Sequence, residues 1–240
     1  MNIYIVTDSS TYELRAELIS RYFAEKGDNV TLIGTCFDHR KKQRRSDISE
    51  TDSIDDTGIR HIYLDAGGYK KNISPARLWY HHRFAKKAYR QLKELIIGES
   101  LIYLLLPGNS LAKVGALLKK ELNCSLIFDI IDLWPESLPV GGVEKTYPIR
   151  YWKNLRDDHL NAADHIVTEC ALYGDLLGLN KENLSIMYWP KTEAVRLSDG
   201  SEICKENDCT GADKAQSAED DGSKDDKAYM DAESIHIAYL

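Results

Sequence analysis

The sequence lacks most of the signatures that announce common activities. It has no CxxC pair, and its five cysteines (36, 124, 170, 204 and 209) are scattered and odd in number. That usage fits free thiols in a reducing compartment rather than a disulfide framework. Cys204 and Cys209 have no companion His or Cys, so no zinc clip is read there. No apolar run approaches a bilayer span; the longest, "LIYLLLP" at 101–107, is strand-sized. The opening "MNIYIVTDSS" has neither a charged leader nor a long apolar stretch, so no signal peptide is read. GxSxG, P-loop and GxGxxG patterns are all missing, which disfavours hydrolase, NTPase and dinucleotide-enzyme readings.

What is present divides the chain in two. Of its 240 residues, 43% are hydrophobic, enough for a substantial core. The net charge of −7 belongs to the last fifty residues, where 13 acids face 6 bases, leaving 25 of each sign before Lys191. Residues 191–233 are rich in Gly, Ser, Asp, Glu and Lys and are expected to form a flexible acidic linker. "SIHIAYL" at 234–240 reads as a strand with nothing nearby to pair with. Either it returns to the edge of the sheet or, as expected here, it opens a second domain and the chain is a fragment.

Residues 1–190 alternate strand-sized apolar runs with amphipathic stretches. Strands are predicted at "NIYIVT", "NVTLIGT", "HIYLD", "SLIYLLLP", "SLIFDII", "HIVTE" and "LSIMYWP". Helices are predicted between them, including "YELRAELISRYFAEKG" with Leu14, Leu18, Ile19 and Tyr22 at helical spacing and Gly27 as its stop. Apolar strands separated by helices imply a parallel sheet covered on both faces, joined by right-handed crossovers. The fold class is therefore α/β: a doubly wound, mostly parallel Rossmann-like sheet of about seven strands.

Ligands of such sheets gather beyond the carboxyl ends of the strands. "FDIIDLWPESLP" at 128–139 sits at such an end, with Asp129, Asp132 and Glu136 around a Trp-Pro pair. Pro135 biases Trp134 toward extended backbone, making a shaped corner. In one reading Asp132 and Glu136 line the crevice. In the other, Asp132 caps the next turn and Glu136 is solvated. The three carboxylates are also hard donors of the kind that hold Mg²⁺, but they straddle a strand end and a stiff Pro, and no metal is assigned.

The stretch "DIIDLWPESLP" resembles the D-x-x-D-[LM]-W-P-E-[ST] segment in the N-terminal domain of retaining family-4 glycosyltransferases of GT-B fold. Within that family it resembles the bacterial enzymes of capsule, exopolysaccharide and O-antigen synthesis. "YWKNLRDDHLNAADHIVTECALY" and the terminal "IHIAYL" extend the likeness, which covers roughly residues 1–190 and the last six. The resemblance implies the acceptor-binding half of a two-domain enzyme, inert alone, in which a sugar passes from a nucleotide-sugar donor to a polyprenyl-diphosphate-linked saccharide. Asp132 is the catalytic candidate, as a base or as an orienter of the acceptor. Ser9, Ser10, Trp134 and Glu136 are the substrate-binding candidates. No cofactor is expected, and the donor falls to the missing half. Two departures stand out. Ile131 occupies a position that is usually polar in the family, and the loop "TDSSTYE" lacks its usual glycines. Ser9 or Ser10 is equally readable as a helix N-cap.

"YKKNISPARLWYHHRFAKKAYRQLK" at 69–93 holds eight Lys or Arg and no acid. On a helix from Pro75, Leu78, His82, Ala85, Tyr89, Leu92 and Ile96 form an apolar stripe. Trp79, Arg83, Lys86, Lys87, Arg90 and Lys93 take the other side. Such a face suits an anionic membrane surface, where each base contributes roughly 1 kcal/mol and Trp favours the headgroups. The alternatives are a grip on the acceptor diphosphate and a merely solvated helix. The location expected is cytoplasmic, peripheral at the inner face of the plasma membrane. The loop "HRKKQRR" at 39–45 is a second basic cluster. Nucleic acid is not an expected partner, because the folded part is net neutral and no recognition motif occurs. His81 and His82 point about 100° apart on a helix and make a poor metal pair. The "AGG" at 66–68 reads as loop, and the "GG" at 141–142 as part of a mobile cover over the site. A non-catalytic, membrane-docking or partner-binding Rossmann-like module is the alternative function.

Overall fold

The computed structural model describes residues 1–46, 48, 52–137 and 146–188. These lie in one compact unit, Met1–Lys191. The expected linker, terminal strand and glycine cover at 141–142 fall outside the described residues.

Eight strands form the main sheet: β1 (Asn2–Val6), β2 (Asn29–Thr35), β5 (Asp52–Ile54), β6 (Arg60–Leu64), β7 (Ser100–Leu105), β8 (Ser125–Ile130), β9 (His165–Thr168) and β10 (Leu184–Ile186). Their order is β10-β9-β8-β7-β1-β2-β6-β5, and every pairing is parallel except β5 with β6. All seven predicted strands are present in this Rossmann-like sheet. Apolar sequence explains their placement: β7 is buried along its whole length, and β1 and β2 at all but their first residue. The eighth strand, β5, is short, exposed and edge-lying, so no apolar run announces it. A two-stranded hairpin, β3 (Phe37–Asp38) with β4 (Gln43–Arg44), follows β2 and likewise escapes a hydropathy reading.

Helices α1 (Glu13–Glu25), α2 (Pro75–Leu95), α3 (Ser110–Leu122), α4 (Tyr147–Asp157) and α5 (Ala171–Leu176) make up the outer layers. Helix α1 stops where expected, with Gly27 at φ +87° beyond its last turn. Its buried face differs from the predicted stripe: Ile19 is buried, but Arg15, Ala16, Ser20 and Phe23 join it in place of Leu14, Leu18 and Tyr22. Arg15 is accommodated because its guanidinium meets Asp129 in a two-pronged ion pair (2.8 and 2.9 Å). Tyr103 donates to the same carboxylate at 2.9 Å.

Helix α2 starts at Ser74, whose Oγ accepts the Arg77 N–H, with Pro75 in the first turn. Its inner face also departs from the predicted stripe. Arg77, Tyr80, His81, Phe84, Ala85, Ala88 and Leu92 are buried, whereas His82 is exposed. Hydropathy misses this because Arg77 and His81 are polar, and His81 is matched by Asp8, far away in sequence. Among the described residues, no helix is long and apolar enough to cross a membrane.

Candidate functional site

The chain runs from β1 through β2 to β6 on one side, and from β7 through β8 to β10 on the other. The switch between β1 and β7 opens a crevice at the carboxyl ends. Residues just beyond β1, β7 and β8 meet the first turns of α2 there: Asp8 with His81, Gly108 with Asp8, Asn109 with Trp134, and Arg77 with Trp134.

Asp8 follows β1 at this switch and is buried. Its Oδ2 lies 2.6 Å from His81 Nδ1, and its Oδ1 has no partner among the described residues. Arg77 donates from Nε to His81 Nε2 at 3.2 Å. The donor from Arg77 assigns the lone pair to Nε2 and the proton to Nδ1, where Asp8 accepts it. The loop after β7 must pass close by. A Cβ on Gly108 would fall 1.9 Å from Asp8 Oδ2, so the approach excludes any side chain.

Sequence reasoning passed over this Asp8–His81–Arg77 chain. The available signal was an aspartate just past the first strand, in a stretch weighed for its serines. Those serines make local contacts within the fold. Ser9 Oγ accepts from the Thr11 N–H at 3.4 Å, as a cap does, and Ser10 Oγ accepts from the His39 N–H at 3.1 Å. Ser10 thereby ties the β3–β4 hairpin to the loop after β1.

The Trp134 corner emerges from β8, an interior parallel strand between β7 and β9. Residues 134–137 turn, and the Trp134–Pro135 peptide is cis. Asn109 holds the corner by donating to the carbonyls of Trp134 and Trp152, both at 3.0 Å. The Arg77 guanidinium lies 4.0 Å from the centre of the Trp134 ring, within cation–π range. Trp152 packs 5.7 Å from His81 and 5.6 Å from Trp134. A cleft of about 200 Å³ adjoins these groups, bounded by Arg77, Trp134, Trp152, Ile73 and Ile149.

Asp132 is half-buried and accepts from Ser137 Oγ at 3.0 Å. Burial pushes its carboxyl above the usual range, although Ser137 and the Arg77 guanidinium pull it back in part. Glu169, after β9, is raised by burial, and the Asp132 charge adds to that. The Tyr12 phenol is raised by burial and then by Asp132 and Glu169. One end of the crevice is therefore acidic.

Glu136 sits elsewhere in this chemistry. Its carboxylate pairs with Arg156, whose side chain is fully buried (2.6 Å), and with Lys153. Burial works upward on Glu136, but the two cations outweigh it and hold the carboxyl below its ordinary value. Asp129 is spent on Arg15, so the three carboxylates of the motif do not converge. Among the described residues, no group of three His, Cys, Asp or Glu could hold a metal ion.

The outer face of α2 carries Trp79 at 62% exposure, with Arg83, Lys86, Arg90 and Lys93 exposed and Lys87 half-buried. A larger cleft, about 480 Å³, lies near the loops that precede β9 and β10, at the opposite rim of the sheet. Its charged residues, Lys153 and Asp157, already pair with each other.

No protein-family profile matches the chain, and no curated protein matches it in sequence. Solved structures do. Sucrose-phosphate synthase of Thermosynechococcus elongatus aligns at a TM-score of 0.54 and 14% identity, over 78% of this chain and 48% of that one. Anabaena HepE in complex with UDP aligns at 0.44 and 16%, over 78% and 44%. A trehalose-6-phosphate protein of E. coli bound with UDP-2-fluoro glucose aligns at 0.45 and 14%, over 72% and 40%. The chain spans less than half the length of each of these three. At 14% identity and a TM-score of 0.54, the likeness to the sucrose-phosphate synthase establishes the fold alone.

Proposed function

We propose that this unit is the acceptor-binding half of a retaining hexosyltransferase of cell-surface polysaccharide synthesis. A sugar from a nucleotide-sugar donor, bound by a second domain, is passed to a saccharide carried on a polyprenyl diphosphate. The observation that carries this reading is the Asp132–Trp134 corner. It is delivered by an interior parallel strand beside the β1/β7 switch, on a sheet whose fold is shared with a protein named as a sucrose-phosphate synthase.

In this reading the acceptor hydroxyl sits over the end of β8, and Asp132 accepts its hydrogen bond. Orientation of this kind converts an encounter into a positioned reaction. As the acceptor oxygen bonds to the anomeric carbon, the bond to the donor diphosphate breaks. The departing diphosphate oxygen takes the proton. Trp134 and Trp152 form an apolar wall for a sugar ring. The outer face of α2, through Trp79, Arg83, Lys86, Lys87 and Arg90, rests on the anionic inner leaflet of the plasma membrane, which brings the lipid-linked acceptor to the crevice.

The test uses a short-chain prenyl-diphosphate-linked monosaccharide and the 240-residue chain. Saturation-transfer NMR is expected to show the sugar protons in contact with the protein. Asp132→Ala should weaken binding about tenfold, the effect of losing a hydrogen bond to a charged group. No saturation, or equal binding by the variant, refutes the assignment of the acceptor. With UDP-sugar added, the chain alone should give no product, and turnover would refute the half-enzyme reading. For the membrane contact, charge reversal at Arg83, Lys86, Lys87 and Arg90 should abolish flotation with anionic liposomes. Unchanged flotation removes the contact.

A further inference from the structure

The cationic end of the crevice is not explained by a saccharide alone. Arg77 is only 6% exposed. Its polar contacts are the His81 ring and the Asn72 carbonyl at 3.4 Å, and among the described residues it has no carboxylate partner. A buried guanidinium without a counter-charge is costly, because burial strips its hydration without replacing it. Asp8 is the acid connected to it by hydrogen bonds, and the His81 ring stands between them.

Lys42 approaches from the β3–β4 hairpin. Its backbone is left-handed at φ +55°, an uncommon conformation for a residue with a side chain. This turn sets its Nζ 4.9 Å from the centre of the Tyr69 ring, and Arg77 lies 5.8 Å from the same centre. His39 hydrogen-bonds the Tyr69 hydroxyl. Two cations and an imidazole thus share one aromatic hub. Burial lowers the Lys42 ammonium, and Arg77 lowers it further, against the opposing pull of Asp38. Burial drives His39 down to about 4, with Lys42, Arg77 and His81 adding to the effect. Asp38 is already committed, its Oδ1 accepting from the Arg40 and Lys41 N–H groups.

We infer that Lys42, Arg77 and His39 around Tyr69 form an oxyanion subsite that takes a phosphate or diphosphate group of the bound substrate. The inference rests on the transferase reading for the word substrate; the binding chemistry does not depend on it. The subsite is separate from the outer face of α2. Arg77 and Tyr69 are buried while Lys42 and His39 remain half-buried, and Arg77 offers the planar donor fork that suits phosphate oxygens. The crevice is consequently bipolar, with the Asp132 carboxylate at one end and the cations at the other. Arg77 acts on both, since it lowers Asp132 as well as Lys42. A substrate that fits it carries a hydroxyl at one end and a negative charge at the other.

The experiment titrates the full chain with pyrophosphate, UDP and anionic vesicles, read by calorimetry and by the fluorescence of Trp134 beside Arg77. Pyrophosphate or UDP should bind, and Lys42→Gln should weaken it at least tenfold. Lys42 is half-exposed on a hairpin, so this variant is expected to fold even if Arg77→Gln does not. Arg83→Glu/Arg90→Glu should leave pyrophosphate binding intact while reducing vesicle binding. Tighter binding of pyrophosphate assigns the oxyanion to the acceptor, and tighter binding of UDP assigns it to the donor; either upholds the subsite. Binding equal in wild type and Lys42→Gln, or no binding to the folded chain, overturns it. Because pyrophosphate carries no acceptor saccharide and Lys42, not Asp132, is varied, this result stands apart from the Asp132 test.

Discussion

Two buried aspartates at the same rim of the sheet are treated in opposite ways. Asp129, at the end of β8, accepts from Arg15 twice and from Tyr103 once. Asp8, just beyond β1, accepts from His81 with one oxygen and leaves the other without a partner among the described residues. The first carboxylate is neutralised in place and clamps α1 to the sheet. The second passes its influence through a histidine to a guanidinium that faces the crevice. A fully satisfied buried ion belongs to the architecture, whereas a partly satisfied one points to ligand chemistry.

Breaking the first pair should have the largest effect. Arg15→Ala leaves Asp129 charged, buried and without its main partner, a loss of about 3–5 kcal/mol by urea unfolding. Arg15→Met with Asp129→Leu should recover most of it, since no stranded charge remains. At the second aspartate the effect is smaller and depends on what is removed. Asp8→Ala strands the His81 N–H and should cost about 1–3 kcal/mol. Asp8→Asn keeps an acceptor for His81, should cost less, and should tighten pyrophosphate binding several-fold by removing a negative charge near Arg77. Equal cost for Asp8→Asn and Asp129→Asn would erase the distinction between the two sites.

How much of this was readable from sequence follows from the range of the interactions. The seven apolar strands and the stop at Gly27 were legible because they depend on neighbours along the chain. The Asp132–Trp134 corner was legible as a motif at a strand end. Strand β5, with all three residues exposed, offered no hydrophobic signal. The inner face of α2 was misplaced because Arg77 and His81 are polar and fall outside the apolar stripe; His81 tolerates burial because its ring N–H donates to Asp8, 73 positions earlier. Glu136 reads as a free carboxylate until α4 brings Arg156 and Lys153 against it. Charges that cancel across the fold are invisible to local pattern.

The smallest predicted effect probes the cationic end of the crevice through pH. His39 has a folded-state value near 4, below its ordinary 6.5, because burial and then Lys42, Arg77 and His81 disfavour the imidazolium. The folded chain therefore binds fewer protons at this site than the unfolded chain. Stability is fully present above about 6.5 and falls as the pH drops toward 4. His39 is partly exposed, so solvent screening reduces the loss to about 1 kcal/mol. His39→Gln should flatten this part of the profile in urea unfolding at successive pH values. Pyrophosphate in the subsite would offset the repulsion from Lys42 and Arg77 and raise the His39 value, which NMR titration of its ring protons would detect. A His39 titration that is the same with and without saturating pyrophosphate would mean that the bound anion lies outside the Tyr69 hub.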